Sequence, residues 1–411
     1  MSLQKLLPGI QRSTGCSEPG AIALAAAVAA RAVGGVVQHV RLVCDSNTIK
    51  NATGAGIPGT SGGSGATLAA ALGALCGDPS RSLQALAAMT PQDLSAAQEL
   101  IAAGGVEIMQ SASAGRARIR IEARVVTSTG QGCALIEDEH TRVVQARANG
   151  VDLPRPRELP NESERAWQAG SLSDVLQLAS NLTSDDYTAL VADAAVNMRA
   201  CAGALSSAPP NLAAADPSIE AEQFATAASR DRMEGGLAPI VTSGFSGNQG
   251  LVATVPVSVL ARRLGADEGT LARALATSHL VGEFVRRHTG VLSPVCNAVH
   301  AASMGAAAAC VRLLGGDANA VGRACDLVAA SVAGTLCDGA KPGCSLKVGL
   351  GASRAIRCAE MAVAGVTLTV RDGLIGESPE ETIQNLGKLA HPILESVDRE
   401  VTRIVLNKPS V

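Results

Sequence analysis

Aromatic side chains are almost absent: Trp167, Tyr187, Phe224, Phe245 and Phe284 are the only Trp, Tyr or Phe residues among 411. A core of this size therefore cannot be filled by large rings. It must be built from Ala, Val and Leu, with Gly where backbones touch, which suits helices that approach closely. Hydrophobic residues still make up 47% of the chain and charged ones 17%, the balance of a packed globular protein rather than a disordered one. The length suffices for two domains, since domains cluster near ~100–150 residues.

The net charge is −3, and no run of Lys and Arg interleaved with aromatics occurs. The electrostatic footprint of a nucleic-acid binder is therefore missing, and a small molecule is the expected partner. The opening MSLQKLLPGIQRSTG has no basic region followed by an apolar stretch and a cleavage site. The longest apolar windows, 21–37 and 301–315, are Ala- and Gly-rich and broken by Arg31 and Arg312. They read as buried helices, short of the ~20 strongly apolar residues of a membrane span. A cytoplasmic protein is expected, and a homo-oligomer is compatible with this reading.

Along the chain, AIALAAAVAARAV (21–33) is rich in helix formers and follows Cys16, Ser17, Glu18 and Pro19, which suit a helix start. A thiol at that position is expected to be partly ionised, because a helix N-terminus favours negative charge. Residues 39–47, 117–126 and 133–150 read as strands, with helices near 66–76 and 91–103. The Pro- and charge-rich stretch after Val151 reads as a linker. Beyond it, helices are expected over 171–181, 184–205, 218–228, 266–287, 297–314, 319–336 and 350–364. Gly-rich joints fall at 234–250 and 337–347, and a β-like piece at 365–371. The expected architecture is α+β, mostly α. Residues 1–34 carry the Cys16 helix, packed on the catalytic part, and 35–150 form an α/β domain with a small mixed sheet. Residues 151–169 link it to a helical catalytic domain over 170–411.

Eleven cysteines in a chain without secretion signals point to metal or catalytic use more than to disulfides. Cys44, Cys76, Cys133, Cys201, Cys310, Cys325 and Cys358 lie in apolar helix or strand patterns, where Cys is simply a small buried residue. Cys337 and Cys344 differ. They flank six residues, Asp-Gly-Ala-Lys-Pro-Gly, in a loop between helices. Such a loop can wrap a cluster, and Cys296 in LSPVCN is a candidate third ligand. Spacing alone leaves zinc and iron–sulfur both open, although C-x6-C is not a zinc-ribbon spacing.

Taken together, GCSEPGAIALA (15–25), NTIKNATGAGIPGT (47–60), HT (140–141), SGNQG (246–250), SHL (278–280), LSPVC (292–296) and LCDGAKPGCSLKV (336–348) resemble the L-cysteine desulfidase family. That family is serine dehydratase alpha-chain-like and related to the iron–sulfur L-serine dehydratases. The resemblance is collinear over nearly the whole chain. It implies a [4Fe–4S] cluster on Cys296, Cys337 and Cys344 with one iron left for substrate, and a base or exchangeable ligand at Cys16. Ser17 stands where the family has Thr. Phe245 replaces a glycine, Arg230 replaces an aspartate, and Phe284 stands where an aromatic hydroxyl is common.

The implied reaction is β-elimination of L-cysteine to sulfide, ammonia and pyruvate, with L-serine or another small β-substituted amino acid as the alternative. Ser17, Glu18, Asn51, Thr60, Ser246, Asn248, Gln249 and Lys341 are the candidate substrate-binding residues. Gly-rich loops at 54–65 and 246–250 suit a carboxylate, because Gly lets the backbone approach closely. His140 and His279 read as structural histidines first. Pyridoxal phosphate is not expected: Lys50, the Schiff-base candidate, lies about two hundred residues from SGNQG, whereas such enzymes keep the two close in sequence. A non-catalytic iron–sulfur or zinc-binding redox sensor is the reading from another class. Bound zinc without amino-acid turnover would favour it.

Overall fold

The structure is a computed structural model that describes residues 3–111, 119–154, 167–206 and 216–408. It is mostly helical with a small mixed sheet in the N-terminal part, as expected. The N-terminal part contains α1 (Leu3–Leu6), β1 (Arg12–Ser13), α2 (Ser17–Val33), β2 (Val37–Cys44), α3 (Ser46–Thr53), α4 (Ala66–Cys76), α5 (Pro91–Ala102), β3 (Val106–Gln110), β4 (Arg120–Thr127), β5 (Gly130–Glu137), β6 (Val143–Ala148) and β7 (Val151–Asp152). Six strands form one sheet in the order β3-β2-β4-β5-β6-β7. β2 and β3 are parallel, and the remaining neighbours are antiparallel. Along β4, Ile121, Ala123 and Val125 are buried while alternate residues reach the other face, the period-2 pattern of a sheet covered on one side.

The cover is α2 with α4, whose alanines share one core with Ile121, Ile136, Val40 and Leu42. Alanine makes this approach possible, and at Gly132 of β5 even alanine is too large: a Cβ there would lie 1.8 Å from the Ala29 carbonyl oxygen. Residues of the first 34 positions touch both parts of the fold. Leu3, Leu6 and Leu7 do join the helical core, and β1 pairs with β8 (Ile240–Val241). The helix itself belongs to the sheet.

The helical part contains α6 (Leu172–Ser180), α7 (Ser184–Ser206), α8 (Pro217–Met233), α9 (Gly247–Leu264), α10 (Glu268–Thr289), α11 (Ala301–Leu313), α12 (Ala318–Val332), α13 (Cys344–Val363), α14 (Pro379–Lys388) and α15 (Glu395–Leu406). α11, AASMGAAAACVRL, is buried from Ala301 to Val311 and packs against α9, α10, α12 and α13. A helix apolar all round is one surrounded by others. At Gly305 a Cβ would sit 2.1 Å from the Ser278 carbonyl oxygen, so α10 and α11 touch backbone to backbone.

Several expectations are corrected. The run 133–150 is two strands, β5 and β6, joined by a turn that holds His140. The joint at 234–250 ends in a helix start: Ser246 caps α9, its Oγ accepting from the Gln249 N–H, and the helix continues through Pro256. Residues 344–347 likewise open α13. No strand forms at 365–371. Of the expected linker, residues 155–166 lie outside the described residues, as do 117 and 118 of the expected strand. No described helix is long and apolar enough to cross a membrane.

Candidate active site

Where the sheet side meets the helices lies a cleft of about 100 Å³. The start of α2 brings Cys16, Ser17 and Glu18, α3 brings Asn47 and Asn51, and the β5–β6 turn brings His140. The end of α8 supplies Arg232, and the start of α9 supplies Ser246, Asn248 and Gln249. The segment Val291–Ala298 contributes Ser293, Cys296 and Asn297, and the loop before α13 contributes Cys337 and Cys344.

Two extended segments hold the first pair of cysteines. Cys296 N–H donates to the Thr335 carbonyl at 3.0 Å, and Cys337 N–H to the Pro294 carbonyl at 2.7 Å, around a bridge between Val295 and Leu336. Cys344 is the first residue of α13, its thiol 3.0 Å from the Gly339 carbonyl. Burial and then the neighbouring Cys337 and Cys344 push the Cys296 thiol up to about 12, and burial raises Cys344 as well. The Cys296 and Cys344 thiols thus resist ionising, and a cationic centre beside them would offset that cost. Among the described residues no three Cys, His, Asp or Glu side chains enclose a point suited to one ion. A multi-iron cluster makes no such demand, because its ligands spread around a larger body. The donor set, three cysteines lining one cleft, is the kind an iron–sulfur group takes.

Lys341 and Lys347 both pair with Asp338. Burial would raise the Asp338 carboxyl, but the two lysines hold it down at about 2. Lys341 also donates to the Asp338 and Gly339 carbonyls at 3.2 and 3.1 Å. It braces the loop rather than lining the cleft. Thr60 also stands apart: its hydroxyl donates to the Ile57 and Gly63 carbonyls at 2.6 and 3.0 Å and closes a turn. No residue of 54–65 lines the cleft.

The expectation of a partly ionised Cys16 is overturned. Cys16 does precede α2 as its N-cap, yet its thiol is raised well above the ordinary value, by burial first and by the adjacent Glu18 charge second. The thiol donates to Glu18 Oε2 at 3.0 Å. Glu18 Oε1 accepts from Asn51 Nδ2 at 3.0 Å, and the His140 ring stands 3.6 Å away. Burial alone would raise the Glu18 carboxyl, but His140 and the Cys16 thiol outweigh it and hold it at about 2. The local dipole of the helix thus loses to desolvation and a buried carboxylate.

Several polar groups on the cleft wall are buried without a partner among the described residues: Ser17 Oγ, Asn47 Oδ1, His140 Nδ1 and Arg232 Nε. Buried polar atoms are normally satisfied, so their clustering marks a place for a polar ligand. Phe245, beside the cleft, has φ 63°, a left-handed conformation that is an outlier for a bulky residue. Its ring centroid lies 6.0 Å from that of His140. His279 is outside the cleft wall, its Nδ1 3.0 Å from Ser243 Oγ. Lys50 is outside too, paired with Asp398.

The family model for the serine dehydratase alpha chain matches residues 80–403. A protein of Clostridium perfringens (strain SM101 / Type A) named UPF0597 protein is 32% identical over 420 aligned positions, covering 99% of this chain and 98% of its own. UPF0597 proteins of Nitratidesulfovibrio vulgaris and Desulfatibacillum aliphaticivorans are 34% and 33% identical, each covering 96% of this chain and 97% and 95% of their own. The family match begins after Cys16 and Asn51, while the match to the Clostridium perfringens relative spans both. The chain belongs to the serine dehydratase alpha chain family.

Proposed function

We propose that this protein is a lyase that eliminates the β-substituent of L-cysteine, giving sulfide, ammonia and pyruvate, with a [4Fe–4S] cluster held by Cys296, Cys337 and Cys344. The observation that carries this reading is one cleft, in a serine dehydratase alpha chain family member, that holds these three thiols beside a Cys16–Glu18 pair and several unpartnered polar groups. When bound, the cluster supplies a Lewis-acidic iron with an open position.

The chain's own residues do the rest. β-Elimination removes the Cα proton, and Cys16 Sγ is the group placed to take or carry it. At rest Glu18 is ionised and keeps the proton on sulfur. A substrate ammonium near Glu18 counters that charge, weakens its hold and lowers the thiol pKa. With an amino acid in the cleft the Cys16 proton can pass to the Glu18 carboxylate it already touches, which leaves a thiolate to take the Cα proton. Asn51 holds Glu18 in place through the amide contact. The start of α9, capped by Ser246, offers backbone N–H groups to a carboxylate. Loss of the Cα proton and of HS⁻ leaves an aminoacrylate, which tautomerises and hydrolyses in water to pyruvate and ammonia.

L-Serine is the second reading, favoured by the family match. The test is anaerobic purification followed by sulfide, ammonia and pyruvate assays with both amino acids. Faster release from cysteine supports the proposal. Faster turnover of serine removes the cysteine preference and keeps β-elimination, and no pyruvate from either removes both.

A further inference from the structure

We propose that Arg232 is the residue that pairs with the substrate's α-carboxylate, an inference that rests on the amino-acid lyase reading. Arg232 is 3% exposed and lines the cleft. Burying a guanidinium is costly unless it is paired, yet among the described residues no Asp or Glu forms an ion pair with it. Arg230, two positions earlier, shows the ordinary alternative: it is exposed and pairs with Glu234 at 2.9 Å. Arg232 instead turns inward. Its Nη1 donates to Asn248 Oδ1 at 3.1 Å, and its Nε has no partner.

Two further features hold it in that pose. Asn248 Oδ1 also accepts from Ser229 Oγ at 3.0 Å, which fixes the amide that receives the guanidinium. At Gly247 a Cβ would lie 2.5 Å from Arg232 Nε and 2.6 Å from Cζ. Only glycine lets the guanidinium lie against the first turn of α9. The unpaired Nε and the first-turn amides of an 18-residue helix therefore share one small region of the cleft. A planar carboxylate suits such a seat, because a guanidinium edge and helix amides present N–H donors together. The ionised Glu18 on the same cleft supplies the opposite sign. The ligand it selects carries a carboxylate beside an ammonium, an α-amino acid rather than an amine or a simple acid.

The test compares binding of L-alanine, which lacks a β leaving group, with L-alaninamide, which lacks the carboxylate. It uses the anaerobically purified, cluster-loaded protein and titration calorimetry. Wild-type protein is expected to bind L-alanine more tightly than the amide. Arg232→Met is expected to weaken L-alanine by roughly 10- to 100-fold, the range of a hydrogen bond to a charged group, and to leave the amide unchanged. Arg232→Lys, which keeps the charge, is expected to recover part of the loss. Equal weakening of both probes would make Arg232 a structural residue and overturn the inference, as would unchanged L-alanine binding in both variants. Wild-type protein that binds no amino acid would overturn the lyase reading and this inference with it.

Discussion

Lys50→Met tests how the fold supports the cysteine loop. Lys50 is among the most deeply buried side chains of the chain, at 1% exposed. Its ammonium pairs with Asp398 of α15, whose side chain is 9% exposed, and donates to the Cys337 carbonyl at 3.2 Å. One cation thus ties α3 to the C-terminal helix and to a proposed cluster ligand. Methionine keeps most of the volume and removes the charge, leaving the Asp398 carboxylate buried without its partner. Breaking such a pair costs about 3–5 kcal/mol, a large share of the ~5–15 kcal/mol that typically separates folded from unfolded. The double variant Lys50→Met/Asp398→Leu removes both charges and is expected to recover to within about 1 kcal/mol of wild type, because a well-packed apolar pair often substitutes without loss. Urea unfolding followed by circular dichroism on wild type, both single variants and the double closes the cycle. Single variants that cost less than about 1 kcal/mol, or costs that simply add in the double, would refute the argument.

Two further outcomes follow from buried titrating groups. Burial depresses His279 from 6.5 to about 4, so the unfolded chain binds its proton first as pH falls. Stability contributed by the neutral ring is complete above 6.5 and lost between 6.5 and about 4, by roughly 3 kcal/mol. His279→Gln is expected to flatten the urea midpoint over that window, and an unchanged pH slope would contradict it. Because the Glu18 charge helps hold the Cys16 thiol up, Glu18→Gln should lower that pKa. Alkylation of Cys16 at pH 8 is expected to speed up, by roughly tenfold per unit of fall, and an equal or slower rate would contradict it.

Much of the helical layer was legible because its pattern is local. The expected 66–76 helix coincides with α4, and 184–205 falls one residue short of α7. α9 was hidden by Gly247, Gly250 and Pro256, which read as joint residues when the surrounding core is unseen. β3 is five residues long and gains its place by pairing in parallel with β2, a partnership that no local alternation reveals. The site divides in the same way. Loop context singles out Cys337 and Cys344 and a helix start singles out Cys16, whereas the cluster type, the choice of Cys296 and the role of Cys16 rest on the family resemblance. Arg232 carries no signal in sequence, since an arginine in a helix reads as solvated. Its burial and unpartnered Nε appear only once α8 is set against α9. The ionisation of Cys16 failed for the same reason: a helix start is local, but the desolvation that overrides it is tertiary.

The central claim is that Cys296, Cys337 and Cys344 together hold an iron–sulfur cluster. Its most direct test is iron and acid-labile sulfide per chain in anaerobically reconstituted wild type and Cys337→Ala. The account predicts about four of each in wild type, the content of one [4Fe–4S] cluster, and a marked loss in the variant. A Cys337→Ala protein that keeps its full iron and sulfide would contradict it.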